Sequence, residues 1–327
     1  MVDDFISYFE YCGYPAALEN GSLLFGGYSI PLRNGIPRFT PDHSYASGNF
    51  SRLREHHPQL QLDSYNMTGD RYDTILERTQ WPPSFFRGKT VLECGCGVGP
   101  DTEILLGLGA RVVAVDLTNL DTARENLRLR DALCLVQADI TDLPLKKMTF
   151  DIVFCHRVLQ HTPDPACTLR HILQFVKHDG SVFIHSYAKT LHQMLTWKYL
   201  LRPITSRMDP GTLYNLISRY APGAFALTTA IGRLPKGRLI NHFLIPFRNH
   251  RHHPRLRHMS HETLVEYGIH DTFDSLSPRY DRPLSGKVME SIAQDMLHLP
   301  YEVVEMPTVT LLRTVLKSSE VPGAGRI

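Results

Sequence analysis

Between residues 90 and 187, short apolar runs alternate with stretches whose apolar residues recur at helical spacing. That alternation marks a parallel sheet with crossover helices. Strands are expected over residues 90–93, 111–116, 133–138, 150–155 and 181–187, the last introduced by the turn pair Asp179-Gly180. Helices are expected over residues 101–108, 120–130 and 165–176. The pattern stops after residue 187 and resumes with a helix over 287–297 and strands over 301–305 and 311–316. The chain is therefore read as α/β.

The boundaries follow from where the pattern fails. Residues 1–60 carry turn signals and short apolar runs, and read as an N-terminal extension. Residues 61–187 read as the core, 188–285 as a mostly helical insertion covering an acceptor site, and 286–327 as the closing helix and strands. Net charge over the 327 residues is only +2, which supports no general binding of polyanions. From Ala188 to Ser260, however, twelve cations face a single acid, Asp209, a local excess of +11. Trp197, Tyr199 and several leucines interleave with Lys198 and Arg202 there. The insertion could pack as an amphipathic helix on the core with its cations solvated, lie on an anionic membrane surface, or cover a phosphorylated substrate. No RNA-binding motif accompanies the charge, so no nucleic-acid partner is expected. Apolar residues make up 43% of the chain, as in ordinary globular domains, which excludes a disordered class. No apolar run approaches the ~18 residues of a membrane span, and the start, Met1-Val2-Asp3-Asp4, is acidic where a signal peptide is basic. With six cysteines and no disulfide framework, the chain reads as cytoplasmic and reduced.

Candidate chemistry gathers at the first strand end, Glu93-Cys94-Gly95-Cys96-Gly97-Val98-Gly99. Glycines let the backbone turn sharply and approach a ligand. A dinucleotide site needs a third glycine where Pro100 stands, and its pyrophosphate would be repelled by Glu93. A carboxylate suits instead a ligand carrying an ammonium and a sulfonium, such as S-adenosylmethionine. Asp116, followed by Leu117, ends the second strand, where an acid can accept both ribose hydroxyls. Asp139 ends the third, where it can accept the adenine amino group while Ile140 packs on the ring. Both aspartates could equally cap the helices that follow. The fourth strand leads to His156 and His161 and the fifth to His185 and Tyr187. A hydroxyl acceptor needs a base, and histidine titrates in the useful range.

These motifs, in this order, resemble the class I S-adenosylmethionine-dependent methyltransferases of the small-molecule type: the loop at 93–99, Asp116, Ala138-Asp139, Phe150-Asp151 and residues 158–164. The resemblance covers about residues 63–187 and implies a Rossmann-like seven-stranded sheet, its last strand antiparallel, with helices on both faces. It implies S-adenosylmethionine as cofactor, S-adenosylhomocysteine as product, and tyrosines ahead of the first strand that fold over the cofactor, Tyr65 and Tyr72 being the candidates. The cofactor set is then Glu93, Cys94, Gly95, Cys96, Gly97, Gly99, Asp116, Leu117, Asp139, Ile140, His156, Tyr65 and Tyr72.

Two departures narrow the chemistry. The Asn/Asp-Pro-Pro-Tyr motif of amide and nucleobase methyltransferases is absent, the chain reading Phe154-Cys155-His156-Arg157. The Glu-x-x-Glu-His of metal-dependent ubiquinone-biosynthesis O-methyltransferases is replaced by Arg157, Gln160 and His161, so no Mg²⁺ is expected. The stretches 12–15, 24–28 and 34–39 resemble a small zinc ribbon fused ahead of such enzymes, but Cys12 alone of its ligands remains, so no metal is expected there either. Residues 271–281 resemble a stretch of methyltransferases from glycan and natural-product clusters. That adds Arg279 and Tyr280 to His185 and Tyr187 as acceptor contacts. The expected activity is O-methylation of a sugar-containing or natural-product metabolite, with His156 or His161 as base. N- or C-methylation by the same fold, or a silent cofactor-binding scaffold, remain alternatives.

Overall fold

The computed structural model describes residues 2–41, 50–128, 131–256 and 258–316. The chain divides into two compact units: residues 1–44, 71–189 and 280–327, and residues 45–70 and 190–279. Residues 1–44 thus group with the sheet, and 45–70 with the insertion.

The first unit is built on a seven-stranded sheet. Its strands are β1 (Thr90–Cys94), β2 (Arg111–Asp116), β3 (Leu133–Gln137), β4 (Phe150–His156), β5 (Val176–Tyr187), β6 (Tyr301–Glu305) and β7 (Val309–Thr314). Their spatial order is β6-β7-β5-β4-β1-β2-β3. The five strands from β1 to β5 pair in parallel, and β7 runs antiparallel to both β5 and β6. Sequence and structure agree on this architecture. Alternate residues of each strand enter opposite cores, because successive side chains of a strand point to opposite faces. Val91, Val112, Ala114 and Ile152 pack on one side with α1 (Asp70–Thr79), α2 (Pro100–Gly107) and α3 (Leu120–Leu127). Leu92, Val113, Val115 and Val153 pack on the other with α4 (Pro165–Ile172) and, later in the chain, the helix Gly286–Met296. The continuation of α3 expected from sequence to residue 130 lies partly outside the described residues.

The N-terminal segment belongs to this second face. Phe5, Phe9, Leu23 and Phe25 share a core with Val136, Leu145 and Phe150. Its strands, Ala17–Glu19, Ser22–Phe25, Tyr28–Arg33 and Ile36–Pro37, form a small antiparallel sheet. Arg38 bridges in parallel to Gln137 of β3, and the Phe39 amide donates to the Gln137 carbonyl at 2.8 Å. β3 is the edge of the large sheet, and an uncovered edge invites pairing with other chains. The segment covers it. The Arg38 guanidinium fixes this contact, donating to Gln137 Oε1 at 2.7 Å and to both oxygens of Asp121 at 2.9 Å. The exposed Cys12 has no companion ligands: among the described residues, no group of three or more His, Cys, Asp or Glu is disposed to hold a metal.

The second unit is helical, as the insertion was read. Phe50–His56 and Asp63–Asn66 precede α5 (Trp197–Thr205), α6 (Pro210–Ile231), α7 (Gly237–Leu244) and α8 (His261–Leu276). Leu53, Trp197, Leu213, Ile217 and Phe273 make one small core, and Phe225, Phe247, Leu256 and Leu264 another. Both α6 and α8 start at a side-chain cap, Asp209 accepting from the Thr212 amide and Ser260 from the Thr263 amide. Of the twelve cations counted from sequence, Arg257 lies outside the described residues.

The edge contact makes a direct prediction. Arg38→Ala removes a bidentate, charge-assisted contact and should lower unfolding free energy by about 1–2 kcal/mol. Urea denaturation checks it, with Arg38→Lys recovering only part of the loss because an ammonium lacks the fork.

Candidate functional site

The site forms at the carboxyl end of β1, next to β2 and β3. After Cys94 the chain leaves the sheet in two steps. The amides of Gly95 and Cys96 both donate to the Val115 carbonyl, at 2.7 and 3.1 Å. Gly95, Gly97 and Gly99 then take φ values of +85°, +59° and +95°. A Cβ on Gly95 would come 2.4 Å from Val158, and one on Gly99 2.8 Å from Leu127. Glycine is therefore required here by both torsion and space. The loop ends where Pro100 opens α2.

Two carboxylates bracket this loop. Asp116 accepts from the Gly97 amide at 2.8 Å through one oxygen and from the Thr118 amide at 3.0 Å through the other. A carboxylate has about four acceptor positions, so each oxygen keeps capacity for a ligand hydroxyl. Glu93 is buried, and its Oε2 accepts from Thr102 at 2.6 Å. Burial, followed by the nearby Asp101 charge, pushes its carboxyl up to about 8. Asp139 accepts from the Thr141 amide at 2.9 Å, with the buried Ile140 beside it. Leu117 is half-buried, its carbonyl receiving Gln137 Nε2. Cys94 and Cys96 are buried, and burial holds the Cys94 thiol well above its ordinary range, so it has no nucleophilic role. The loop, Glu93, Asp116 and Asp139 thus converge as the sequence suggested. Tyr72 lies on α1 of the same unit and is 37% exposed. Tyr65 and Arg279 belong to the second unit.

His156 requires a correction. It was read as base and cofactor contact, yet both ring nitrogens are engaged. Nδ1 lies 2.9 Å from Asp101 Oδ2 and Nε2 lies 2.8 Å from Arg78 Nη1. A guanidinium only donates, so Nε2 accepts and Nδ1 carries the proton. Burial drives the imidazolium down to about 3 despite the opposing pull of Asp101. The ring is a neutral strut without a lone pair for an acceptor proton. Asp101 would be raised by burial, but His156 and Arg71, 3.5 Å away, outweigh that and keep it ionised. Asp101, Arg71 and Arg78 were missed from sequence. An acid in the first turn of a helix and two arginines one face apart on α1 look like solvated surface. Only the tertiary structure shows all three enclosing one histidine.

His185 also moves. It is 1% exposed, edge-on to His156 at 4.8 Å, and neither ring nitrogen has a hydrogen-bond partner. Burial and the neighbouring His156 hold it neutral, well below its ordinary range. An enclosed ring under His156 supports that residue and does not meet an acceptor. His161 differs. Its Nδ1 lies 3.0 Å from the Tyr280 carbonyl, to which it donates. Tyr187 stands edge-on to it at 5.8 Å. His161, Tyr187 and Tyr280 are thus brought together.

Two measurements follow. Because Glu93 is protonated below about 8 in the free protein, binding a cationic ligand beside it must expel that proton. Affinity for S-adenosylmethionine should therefore rise with pH by up to ~10-fold per unit and level off above that point. Calorimetry in two buffers of different ionisation enthalpy should register the released proton. Asp116→Ala should weaken the same binding by about 1–3 kcal/mol, since it also unpairs the Gly97 amide.

Comparison with known proteins bears on this site. Residues 92–184 match the family described as "Methyltransferase domain". The chain is 31% identical over 168 residues to a protein named ubiquinone biosynthesis O-methyltransferase from Neisseria meningitidis serogroup C, covering 48% of this chain and 63% of that protein. A Xanthomonas campestris protein of the same name is 32% identical, covering 41% of this chain and 54% of the relative. The chain thus spans less than two thirds of these relatives' length. Among solved structures, magnesium protoporphyrin IX methyltransferase from Synechocystis aligns over 85% of this chain and 90% of its own, at 14% identity and a TM-score of 0.39. The similarity thus falls on residues 92–184, the stretch that holds the glycine loop, Asp116 and Asp139.

Proposed function

We propose that the chain is an S-adenosylmethionine-dependent methyltransferase that methylates an oxygen of a small molecule, a sugar-containing or natural-product metabolite. The observation that carries the reading is the loop itself: three glycines at positive φ between a buried carboxylate, Glu93, and Asp116. Glu93 would hold the ammonium of the amino-acid end, Asp116 the ribose hydroxyls and Asp139 the adenine amino group. The positive φ values at Gly95, Gly97 and Gly99 let the loop turn tightly around the strand end. The cofactor, when bound, supplies an electrophilic methyl carbon. The protein then has to align the acceptor and exclude water. Transfer to oxygen is favoured by the names of the relatives, and His161, beside Tyr187 and Tyr280, is the candidate base for the hydroxyl proton.

His161→Ala should then lower turnover by about 10²–10⁴-fold with cofactor affinity nearly unchanged. His156→Ala should instead lower thermal stability, because it leaves the buried Asp101 Oδ2 without the hydrogen bond from Nδ1. Both are read by labelled-methyl transfer to hydroxylated metabolites together with calorimetry and thermal unfolding. If turnover of His161→Ala stays within about threefold of the parent, transfer to nitrogen or carbon replaces the oxygen reading. Tight cofactor binding with no transfer to any acceptor would mark a silent scaffold.

The same loop speaks to metal. Arg157 and Gln160 stand where carboxylates would be needed, and a guanidinium repels a cation. Activity should survive extensive EDTA treatment. Loss on chelation that Mg²⁺ restores would overturn this part of the reading.

A further inference from the structure

Helix α5 is inside out. Its cations, Lys198 and Arg202, are 2% and 8% exposed, whereas Leu200 and Ile204 on the same helix are 71% and 69% exposed. The inward side has a clear cause. Arg202 donates to the Ser275 carbonyl at 3.2 Å and to the Pro278 carbonyl at 2.7 Å, and Thr205 donates to the Leu276 carbonyl at 3.0 Å. These carbonyls are at the carboxyl end of α8, where a cation is favoured. With Arg202 and Thr205 anchored there and Trp197 and Leu201 packed on the small core, Leu200 and Ile204 face outward.

The inversion extends beyond one helix. Leu191 and Leu195, just ahead of α5, are 75% and 58% exposed. On α7, which packs against α5 and α6, Leu239 and Leu244 are 51% and 71% exposed. Water would favour the opposite arrangement. Cations stand among these residues and in the adjoining turns, Arg207, Arg233, Lys236 and Arg238 all being exposed. From Ala188 to Ser260 the single acid, Asp209, is spent on capping α6.

We propose that this face of the helical unit is a docking surface for an anionic lipid bilayer. The charge selects the occupant. A second copy would bring another excess of +11 against the first, whereas anionic headgroups neutralise the cations while the acyl boundary takes the leucines. No helix among the described residues is long and apolar enough to cross a membrane, so the unit lies on the surface and does not span it. The inference is independent of the methyltransferase reading.

Flotation of the full chain with vesicles tests it. The protein should rise with vesicles of phosphatidylcholine containing phosphatidylglycerol and stay behind with phosphatidylcholine alone. The double variant Leu200→Glu/Ile204→Glu should bind anionic vesicles at least ~10-fold more weakly, and Leu239→Glu/Leu244→Glu should do the same from a second helix. All these positions are exposed, so thermal unfolding should stay as in the parent. Neutralising Arg233, Lys236 and Arg238 should weaken binding by ~5-fold per charge. Failure of the parent to float with anionic vesicles overturns the proposal, as does parental binding by both leucine variants. A dimer in analytical ultracentrifugation, abolished by the same substitutions, would assign the surface to a second copy. Protection of the exposed arginines by inorganic phosphate, without flotation, would assign it to a phosphorylated substrate.

Discussion

One buried ion pair organises the strand ends of the first unit. Asp101, in the first turn of α2, is held against His156 on β4 and Arg71 on α1, so one carboxylate ties two helices to the sheet beside the glycine loop. Removing any partner would leave a charge in the interior, which is worth several kcal/mol against the fold. Burial, with the charge of this carboxylate added to it, raises the neighbouring Glu93 toward protonation. The arrangement also fixes the tautomer of His156, because Arg78 on its far side can only donate.

The sheet could be read from sequence because its rules are local. Buried parallel strands are apolar runs, and β1 through β4 appear as such within a residue or two of where they form, whereas β5 begins at Val176, five residues before the expected start at 181. The glycine loop and Asp116 were legible because torsion, spacing and charge all point to one ligand. Asp101, Arg71 and Arg78 were not, since nothing local separates an ion-paired side chain in the interior from a solvated one. His156 failed for a related reason. A strand-end histidine is placed to act as base, and only its two partners reveal that it cannot. The zinc-ribbon resemblance of residues 12–39 likewise yielded strands but no ligand set, with Cys12 alone remaining.

The two units answer to different constraints. The first is a doubly wound sheet with apolar cores on both faces and its charges paired at the strand ends. The second has two small cores and an amphipathic polarity opposite to that of a helix facing water. Its cations divide by task. Lys198 and Arg202 are enclosed, Arg202 satisfying the carbonyls at the end of α8, and Arg248 stacks on Trp197 at 5.0 Å, while Arg207, Arg233, Lys236 and Arg238 are exposed. Counting charges from sequence cannot separate the structural cations from the available ones.

The cover over β3 has a consequence for how the chain reaches its native state. Arg38 and its partner Gln137 are separated by 99 positions, and the ladder from Phe9 reaches Leu145 across a still longer stretch. Residues 2–39 precede β3 and β4 in the chain, and they gain their apolar partners only once those strands exist. Contacts of such long range are slow to form, because loop closure precedes any gain from burial. Until then Phe5, Phe9 and Phe25 travel uncovered, and the edge of β3 stays open to other chains. The segment that shields the finished sheet is therefore also the one most exposed to chaperones and to misassembly during synthesis.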